Sequence, residues 1–362
     1  MVASSLDPFE EVLERACVAV NAACIDGLQP DTADANFERT WPSSALRAIA
    51  LEHKVDLGFD PGPERFATFL TLRLCRNLLQ RLPNVVAAAA RFSVDARSGR
   101  HNFYITPNAH PYDVDTSSVA AAGMFEANLV TSGELRQSVV ELTKATFRAD
   151  NVRTTKYLPI PTRADVVMVY WLDIEPPPPY FRRPQFDAAV ASNVLYAASL
   201  AHDSTEFAKH FEPTWRFVKD HLISGRYLEG TLYYPSPDSF LCLFGLLLAR
   251  VPQQLDQDVT TAFVRAILQR ATIAADNLVK DPGSPLNQAQ RIIAADAINL
   301  AANEEIVAGV PAMKQQLAKA QQPDGLWAAV PHYGYGPLPY FIGSRELTSI
   351  YGLSALGGGA LP

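Results

Sequence analysis

The chain has 362 residues, of which 48% are hydrophobic and 19% are charged, and its formal net charge is −7 at pH 7. This composition supports a sizeable buried core, and the acidic balance without any Lys/Arg run excludes nucleic acid as the expected partner. The four cysteines form no CxxC pair, so we expect reduced core thiols rather than a disulfide framework or a zinc site.

The sequence predicts a soluble, cytoplasmic protein. The segment MVASSLDPFEEVLER has no basic stretch followed by an apolar run, as a secretory signal would have. The most apolar stretch, FLCLFGLLLARV at 240–251, is too short to span a bilayer. Peripheral contact with a membrane is compatible with this prediction.

Helical periodicity runs through almost the whole chain. Apolar residues from Phe9 to Val20 recur at the i, i+3, i+4, i+7 spacing of a first helix. Further helices are predicted near 44–53, 63–82, 85–92, 116–130, 133–148, 186–201, 206–223, 238–250, 257–279, 286–303, 306–320 and 344–356. The best strand pattern is VVMVYWLDI at 166–174, although so short an apolar run also suits a buried helix.

These elements indicate an all-α protein of about a dozen helices in a single domain, residues 1–362. No Gly/Ser linker or charge run divides the chain. A solenoid would repeat every ~34–47 residues, and the absence of such a period favours a closed ring of helix pairs. The proline-rich loops between helices are also rich in aromatic residues, as in EPPPPYFRRP and VPHYGYGPLP.

The segment PNAHPYDVDTSSVA at 107–120 holds two aspartates, Asp113 and Asp115, at the start of a predicted helix. The simplest interpretation is a helix cap, which Asp, Ser and Thr commonly provide. A metal pair is disfavoured because no matching His or carboxylate cluster appears at ligand spacing. A phosphoryl-transfer loop of the haloacid dehalogenase type would follow a buried strand, whereas ITPNAHPY is polar and broken by proline.

A fourth interpretation is a proton donor. A carboxylic acid can protonate an alkene or epoxide if it stays protonated, is shielded from water and has a partner on its second oxygen. Asp113 and Asp115 could divide these roles, with Thr116 orienting them. Aromatic walls would stabilise the cation that forms. The cap and the proton donor are compatible with one another, and both remain open at this point.

The DVDT segment resembles the DxDD motif of class II terpene cyclases of the squalene-hopene cyclase type, in the terpenoid cyclase/prenyltransferase toroid superfamily. The resemblance implies that Asp115 is the catalytic acid and Asp113 the first acidic position, with Thr116 replacing the last aspartate. QQPDGLW at 321–327 is similar to the QW repeat of these proteins, whose role is structural, with Gln321 and Trp327 in place.

The resemblance extends over roughly 55–356 and includes GSRELTSIYGLSAL as a closing inner helix. It implies an (α/α)6 toroid of about six helix pairs, whose inner-helix ends and loops line a central cavity. Asp187 and Asn193 match polar positions of the middle helices. Full class II cyclases use two such domains, so a homodimer is compatible with a chain that has the length for one.

We predict His110 and Thr116 as residues that tune the acid. Aromatic side chains near loops and helix ends are predicted to line the substrate pocket: Tyr104, Trp171, Tyr196, Tyr233, Tyr234, Tyr335 and Tyr340. The resemblance implies a hydrophobic, isoprenoid small-molecule substrate and no cofactor. Mg²⁺ would be needed only if that substrate carried a diphosphate.

The function favoured by the sequence is therefore a class II-type cyclase of terpenes, isoprenoids or polyene meroterpenoids, acting through carbocations. One alternative is a carbohydrate-active hydrolase or lyase on an (α/α)6 barrel, which needs carboxylates facing each other across an open polar cleft. The other is a non-catalytic toroid that binds a lipid or a protein, in which the aspartates would be solvated caps.

Overall fold

The structure is a computed structural model that describes residues 8–24, 31–33, 40–42, 64–93, 99–103, 112–147, 165–171, 184–254, 256–272, 280–297, 304–334 and 341–357. The helix predicted at 44–53 lies outside these residues. So do four of the predicted site residues, Tyr104, His110, Tyr335 and Tyr340.

Twelve α-helices account for most of the described residues. They are α1 (Glu10–Ala23), α2 (Phe66–Leu74), α3 (Pro83–Ser93), α4 (Val114–Glu126), α5 (Ser132–Thr143), α6 (Ala188–Ala201), α7 (Ser204–Ile223), α8 (Pro237–Arg250), α9 (Gln257–Thr272), α10 (Pro285–Ala297), α11 (Glu304–Lys319) and α12 (Arg345–Leu356). Short 3₁₀ helices follow at Arg76–Arg81, Arg226–Glu229 and Pro252–Gln254.

The even-numbered helices form an inner ring and the odd-numbered helices an outer layer. Each of α2, α4, α6, α8, α10 and α12 packs on the next, and α12 packs back on α2, which closes the ring. On the outside, α3, α5, α7, α9 and α11 pack against the inner helices that precede them, and α1 covers α12. The predicted all-α toroid of six helix pairs is confirmed.

Burial separates the two layers. The inner helices α2 and α8 are buried on nearly every face, because they lie between the outer layer and the interior of the ring. The outer helix α1 buries only one stripe, Leu13, Ala16, Cys17 and Val20, as its periodicity predicts. Close packing of α2 and α4 depends on Gly123, where a Cβ would lie 2.5 Å from the Phe69 carbonyl oxygen. All four cysteines are free and buried.

The QW-like turn joins the last part of the chain to the first. Gln321 Nε2 donates to the carbonyl oxygens of Val12, at 2.8 Å, and of Gly325, at 2.9 Å. Gly325 adopts φ +90°, and a Cβ there would lie 2.6 Å from the Arg15 carbonyl oxygen. Glycine is therefore required both by the backbone conformation and by the close approach of α1.

The tryptophan of the same turn anchors it to the two last helices. Trp327 is fully buried, and its indole Nε1 donates to the Leu317 carbonyl oxygen of α11 at 2.7 Å. Its backbone N–H donates to Ser349 Oγ of α12 at 3.0 Å, and its ring packs against Gly352. The turn thus ties α1, α11 and α12 together where the ring closes.

A buried ion cluster holds the start of α8. Asp238 accepts from the guanidinium groups of Arg270, at 2.8 Å, and Arg291, at 3.4 Å, and all three side chains are almost fully buried. Each arginine also donates to a backbone carbonyl oxygen, that of Lys280 or Pro282. The cluster therefore links α8, α9 and α10 to the connection before α10.

Six short strands complete the described structure: β1 (Asp31–Ala33), β2 (Thr40–Pro42), β3 (His101–Asn102), β4 (Tyr112–Asp113), β5 (Tyr333–Gly334) and β6 (Phe341–Gly343). They form an antiparallel sheet in the order β2-β1-β6-β5 and a separate pair, β3-β4. Within the described ranges, no helix combines the length and apolarity needed to cross a membrane.

The strand predicted at 166–174 is only partly realised. Residues 166–171 are buried and extended, but they make isolated bridges, Tyr170 with Asp113 and Val167 with Thr146, instead of joining a sheet. Residues 172–174 lie outside the described ranges. The segment holds the start of α4, because the Val114 N–H donates to the Val169 carbonyl oxygen at 2.8 Å.

Candidate active site

Asp113 is the N-cap of α4. Its backbone is extended, with φ −115° and ψ 147°, and its Oδ1 accepts from the Thr116 N–H at 2.7 Å. The Ser117 hydroxyl donates to the Asp113 carbonyl oxygen at 2.7 Å. The second carboxyl oxygen, Oδ2, is buried and has no hydrogen-bond partner among the described residues. Asp113 is therefore a helix cap through Oδ1, while Oδ2 takes no part in the cap.

Asp115 lies within the first turn of α4, and both of its carboxyl oxygens are engaged. Oδ1 accepts from Asn193 Nδ2 at 2.8 Å, and Oδ2 accepts from the hydroxyl of Tyr234. The side chain is almost buried, with 9% of the residue exposed. An acid held by two uncharged donors is positioned firmly without being locked in an ion pair.

Asn193 is held in turn by an arginine of α2. Arg73 Nη1 donates to Asn193 Oδ1 at 2.6 Å, and the guanidinium carbon lies 3.7 Å from the centre of the Tyr196 ring. The Tyr196 hydroxyl donates to Glu126 Oε1 at 2.7 Å. Sequence analysis missed Arg73, although an arginine inside the apolar helix FATFLTLRL is itself a signal of a polar contact in the core.

Burial governs the protonation of the acidic groups here. It raises the pKa of Asp115 from 3.8 to about 6, while the hydrogen bonds from Tyr234 and Asn193 act in the opposite direction. Burial also raises the pKa of Asp113 to about 8, with the negative charge of Asp115 adding to the effect. Both carboxyls can therefore carry a proton closer to neutral pH than an exposed aspartic acid.

Glu64 provides a third buried carboxyl group, close enough to Asp113 to interact with its charge. It is not among the site residues predicted from the sequence. Glu64 accepts from the Ala67 N–H at 3.1 Å and 2.9 Å on its two oxygens. Burial raises the pKa of Glu64 to about 8, and the charge of Asp113 contributes to the increase. Glu64 thus binds a backbone N–H of the first turn of α2, although it lies one residue before the N-cap of that helix, Arg65.

Aromatic rings pack on the ring of Tyr234, whose hydroxyl binds Asp115. The aromatic cluster consists of Phe66, Phe103, Tyr234, His332 and Tyr333. The ring of Tyr234 lies 5.1 Å from that of His332 and 5.7 Å from that of Tyr333, which contacts both phenylalanines at 5.6 Å. Burial lowers the pKa of His332 to about 3, so the imidazole is neutral. Sequence analysis selected only Tyr234 from this cluster.

Asp187, the N-cap of α6, positions the loop that carries two of the predicted tyrosines. Its Oδ1 accepts from the N–H groups of Ala189, at 2.7 Å, and Val190, at 3.0 Å, and its Oδ2 accepts from the Tyr233 N–H at 2.8 Å. Because the backbone at Tyr233 is fixed to α6, the next side chain, Tyr234, is directed to Asp115.

The structure brings Asp113, Asp115, Thr116 and Tyr234 together at one end of the ring, with Tyr233 beside them. The ring of Tyr196 lies against the guanidinium of Arg73 in α2. Trp171 contacts the outer layer, because its Nε1 donates to the Glu141 carbonyl oxygen at 3.2 Å. Its ring is also covered by Arg100, at 4.7 Å. The roles of these residues, and of the four outside the described ranges, remain predictions.

Comparison with known proteins places this geometry in context. No known family model matches the chain. A drimenol cyclase of Aspergillus calidoustus, drtB, is 29% identical over 268 residues, which cover 71% of this chain. The chain spans 41% of the length of that relative.

Solved structures match over nearly the whole chain. The type II terpene cyclase MstE from Scytonema has a TM-score of 0.63 at 12% identity, with 96% of each chain covered. A protein from Actinoplanes has a TM-score of 0.63 at 14% identity, with 96% of this chain and 98% of its own covered. The ent-copalyl diphosphate synthase from Streptomyces platensis has a TM-score of 0.51 at 14% identity, covering 87% of this chain and 54% of its own. The chain therefore has the fold of type II terpene cyclases, which is the fold that the resemblance in its sequence implies.

Proposed function

We propose that the protein is a class II-type terpene or isoprenoid cyclase in which Asp115 protonates an alkene or an epoxide. The observation that carries the proposal is the environment of this carboxyl group. It is buried, its two oxygens are held by Asn193 and Tyr234, and it lies against the aromatic cluster. The fold shared with type II terpene cyclases supports the same conclusion.

The proposed reaction begins with transfer of the Asp115 proton to one carbon of the alkene. The π electrons form the new C–H bond and leave a carbocation on the other carbon. The pKa of about 6 suits this step, because a general acid works best when its pKa lies near the working pH. The carboxylate that remains is stabilised by its two donors and by the N-terminal end of α4.

The carbocation would next react with further double bonds of the same chain, forming rings. Aromatic faces stabilise positive charge within about 6 Å of the ring centre. We assign this role to the aromatic cluster, because its Tyr234 binds the acid. Loss of a proton ends the reaction as an isomerisation, and capture of a water molecule ends it as a hydration. In both cases a proton is released, from carbon or from the captured water, and it replaces the proton that Asp115 gave up.

The proposed substrate is a hydrophobic isoprenoid chain. MstE has been solved with geranylgeranyl dihydroxybenzoate as its substrate, and the curated relative is a drimenol cyclase. We propose that no cofactor takes part, and that Mg²⁺ would be required only for a substrate that carries a diphosphate.

The alternative functions fit the site less well. A glycoside hydrolase needs two carboxylates on opposite sides of an open polar cleft. Asp113 and Asp115 share one helix start, and each is at least nine-tenths buried. A non-catalytic toroid would leave these aspartates as solvated caps, whereas Asp115 binds two side chains from other elements.

The test is incubation with linear prenyl alcohols, prenyl diphosphates and a prenylated aromatic acid, followed by mass spectrometry of the products. In deuterium oxide, an acid-initiated cyclisation adds one deuterium at the carbon that Asp115 protonates. We expect Asp115→Asn to abolish product formation. Asp296→Asn, which alters a partly exposed carboxyl group paired with Lys314, is the matched control and should keep full activity. Full activity of Asp115→Asn would exclude the proposed acid.

A further inference from the structure

We propose that Arg73 is a positioning residue that fixes the amide of Asn193 and so confines the proton of Asp115 to its Oδ2 oxygen. This inference rests on the proposed function, since it assigns the source of the proton that starts the reaction. Arg73 binds Asn193, and Asn193 binds Asp115. Among the contacts described above, Arg73 touches neither Asp115 nor the aromatic cluster.

The hydrogen-bonding capacity of each group fixes the orientation of the Asn193 amide. A guanidinium carries only donors, so the atom of Asn193 that faces Arg73 at 2.6 Å must be the amide oxygen. The amide nitrogen then faces Asp115 Oδ1 at 2.8 Å, also as a donor. Asn193 cannot turn over without losing both contacts, so Oδ1 of Asp115 meets a donor, and among the described residues it has no acceptor to which it could give a proton.

The other oxygen of Asp115 has a different neighbour. Oδ2 meets the hydroxyl of Tyr234, which can donate or accept by rotation about its C–O bond. A proton on Oδ2 is therefore compatible with its surroundings, while a proton on Oδ1 would face an N–H group. The acid is thus oriented toward the Tyr234 side, where the aromatic cluster lies.

The neutral amide between the two charges also adjusts the strength of the acid. A direct pair with arginine would lower the pKa of a carboxyl by ~1–3 units and keep it ionised at neutral pH. With Asn193 interposed, Arg73 still lowers the pKa of Asp115, but burial has the larger effect and the value stays at about 6. Among the described residues, the other charged or titratable groups that interact with Asp115 are Asp113, Asp187, Tyr234, Tyr333 and Tyr351.

The hydrogen bonding of Arg73 argues against a purely structural role. The residue is 5% exposed, and its Nε and Nη2 have no hydrogen-bond partner in the described part of the chain. Stacking on Tyr196 stabilises the cation, yet unpaired buried N–H groups cost free energy. An apolar side chain of similar length would avoid that cost, so stability alone does not explain an arginine at this position.

The direct test is the titration of Asp115 without substrate. The infrared C=O band of its protonated carboxyl is identified by difference from Asp115→Asn and followed against pH. In Arg73→Met we expect the pKa of Asp115 to rise by roughly 1 unit, because an opposite charge is removed and the amide is free to turn. Arg73→Lys keeps a cation with hydrogen-bond donors, so it should bring the pKa of Asp115 most of the way back to the wild-type value. Arg216→Met, on the exposed face of α7, is the control and should change nothing.

The second test uses the cyclisation rate. In Arg73→Met we expect the alkaline limb of the kcat/KM profile to shift to higher pH together with the pKa of Asp115. We expect the plateau of kcat/KM to fall on the order of tenfold, since a weaker acid transfers its proton more slowly. In an Asn193→Ala background the same substitution should add a clearly smaller loss than it causes alone, because only the through-space effect of the charge remains when the amide is absent.

Several outcomes would overturn the proposal. An unshifted infrared pKa in Arg73→Met, or fully additive rate losses with Asn193→Ala, would show that Arg73 does not act on Asp115 through the amide. A rate loss that follows the fraction of unfolded protein, with an unchanged pH profile, would leave Arg73 as a structural residue. If the wild-type protein forms no product from any substrate, the proposed function fails, while the infrared titration still decides this inference.

Discussion

The burial of Asp115 predicts that removing its charge makes the protein more stable. The pKa of this carboxyl is about 6 in the folded state, against 3.8 for an exposed aspartate. A carboxyl group whose pKa is raised by folding favours the folded state as long as it is protonated. This contribution is complete below the unfolded-state pKa of 3.8 and is lost as the pH rises through the folded-state pKa of about 6. At neutral pH and above, the folded protein therefore contains a carboxylate that burial disfavours.

The size of the effect follows from the shift. About two pKa units at 1.36 kcal/mol each correspond to about 3 kcal/mol. Asparagine is neutral at every pH and nearly the same shape, so it stands in for the protonated carboxyl group. We therefore expect Asp115→Asn to raise the free energy of unfolding by about 3 kcal/mol near pH 8, and to have little effect near pH 4.

The measurement is urea-induced unfolding at a series of pH values, with the free energy extrapolated to water. Asp113→Asn is the comparison, because asparagine also serves as an N-cap. The pKa of Asp113 is about 8, so its replacement should also be stabilising, with a gain that keeps growing up to about pH 8, whereas the gain of Asp115→Asn should level off above about pH 6. If Asp115→Asn is no more stable than wild type near pH 8, or gains equally near pH 4, the reasoning from burial is refuted.

Three further changes test other parts of the structure. Tyr234→Phe removes a donor from Asp115 and should raise the pKa of that carboxyl by ~1–2 units, which the pH dependence of product formation will report. Gly325→Ala places a Cβ against the backbone of α1 at a positive φ and should lower the free energy of unfolding by about 2 kcal/mol or more in calorimetry. Gly309→Ala is the control and should be stabilising, because Gly309 lies in a helix with open space around it. Equal changes in the free energy of unfolding for the two variants would contradict the requirement for glycine at position 325. Asp238→Asn leaves two buried arginines without a counter-charge and should lower the free energy of unfolding by ~3–5 kcal/mol in urea, and a neutral result would show that the ion cluster is solvated.

The sequence by itself determined the elements of the ring, because their signals are local. Apolar periodicity located the starts of eleven of the twelve described helices within about two residues, and the twelfth, α2, as the first part of a longer predicted helix that becomes 3₁₀ at Arg76–Arg81. The turn with Gln321 and Trp327 could also be recognised, since its residues are close together in the chain. The same holds for Asp113 as a cap, which bonds to a backbone N–H three residues ahead.

Only the tertiary structure decided what surrounds the acid. The two donors to Asp115 lie 78 and 119 residues away, and Arg73 lies 120 residues from the asparagine that it orients. No local pattern encodes such contacts, because they arise when the inner helices close into a ring. The raised pKa values of Asp115 and Glu64 have the same origin, since burial is a property of the packed molecule and not of the residue type.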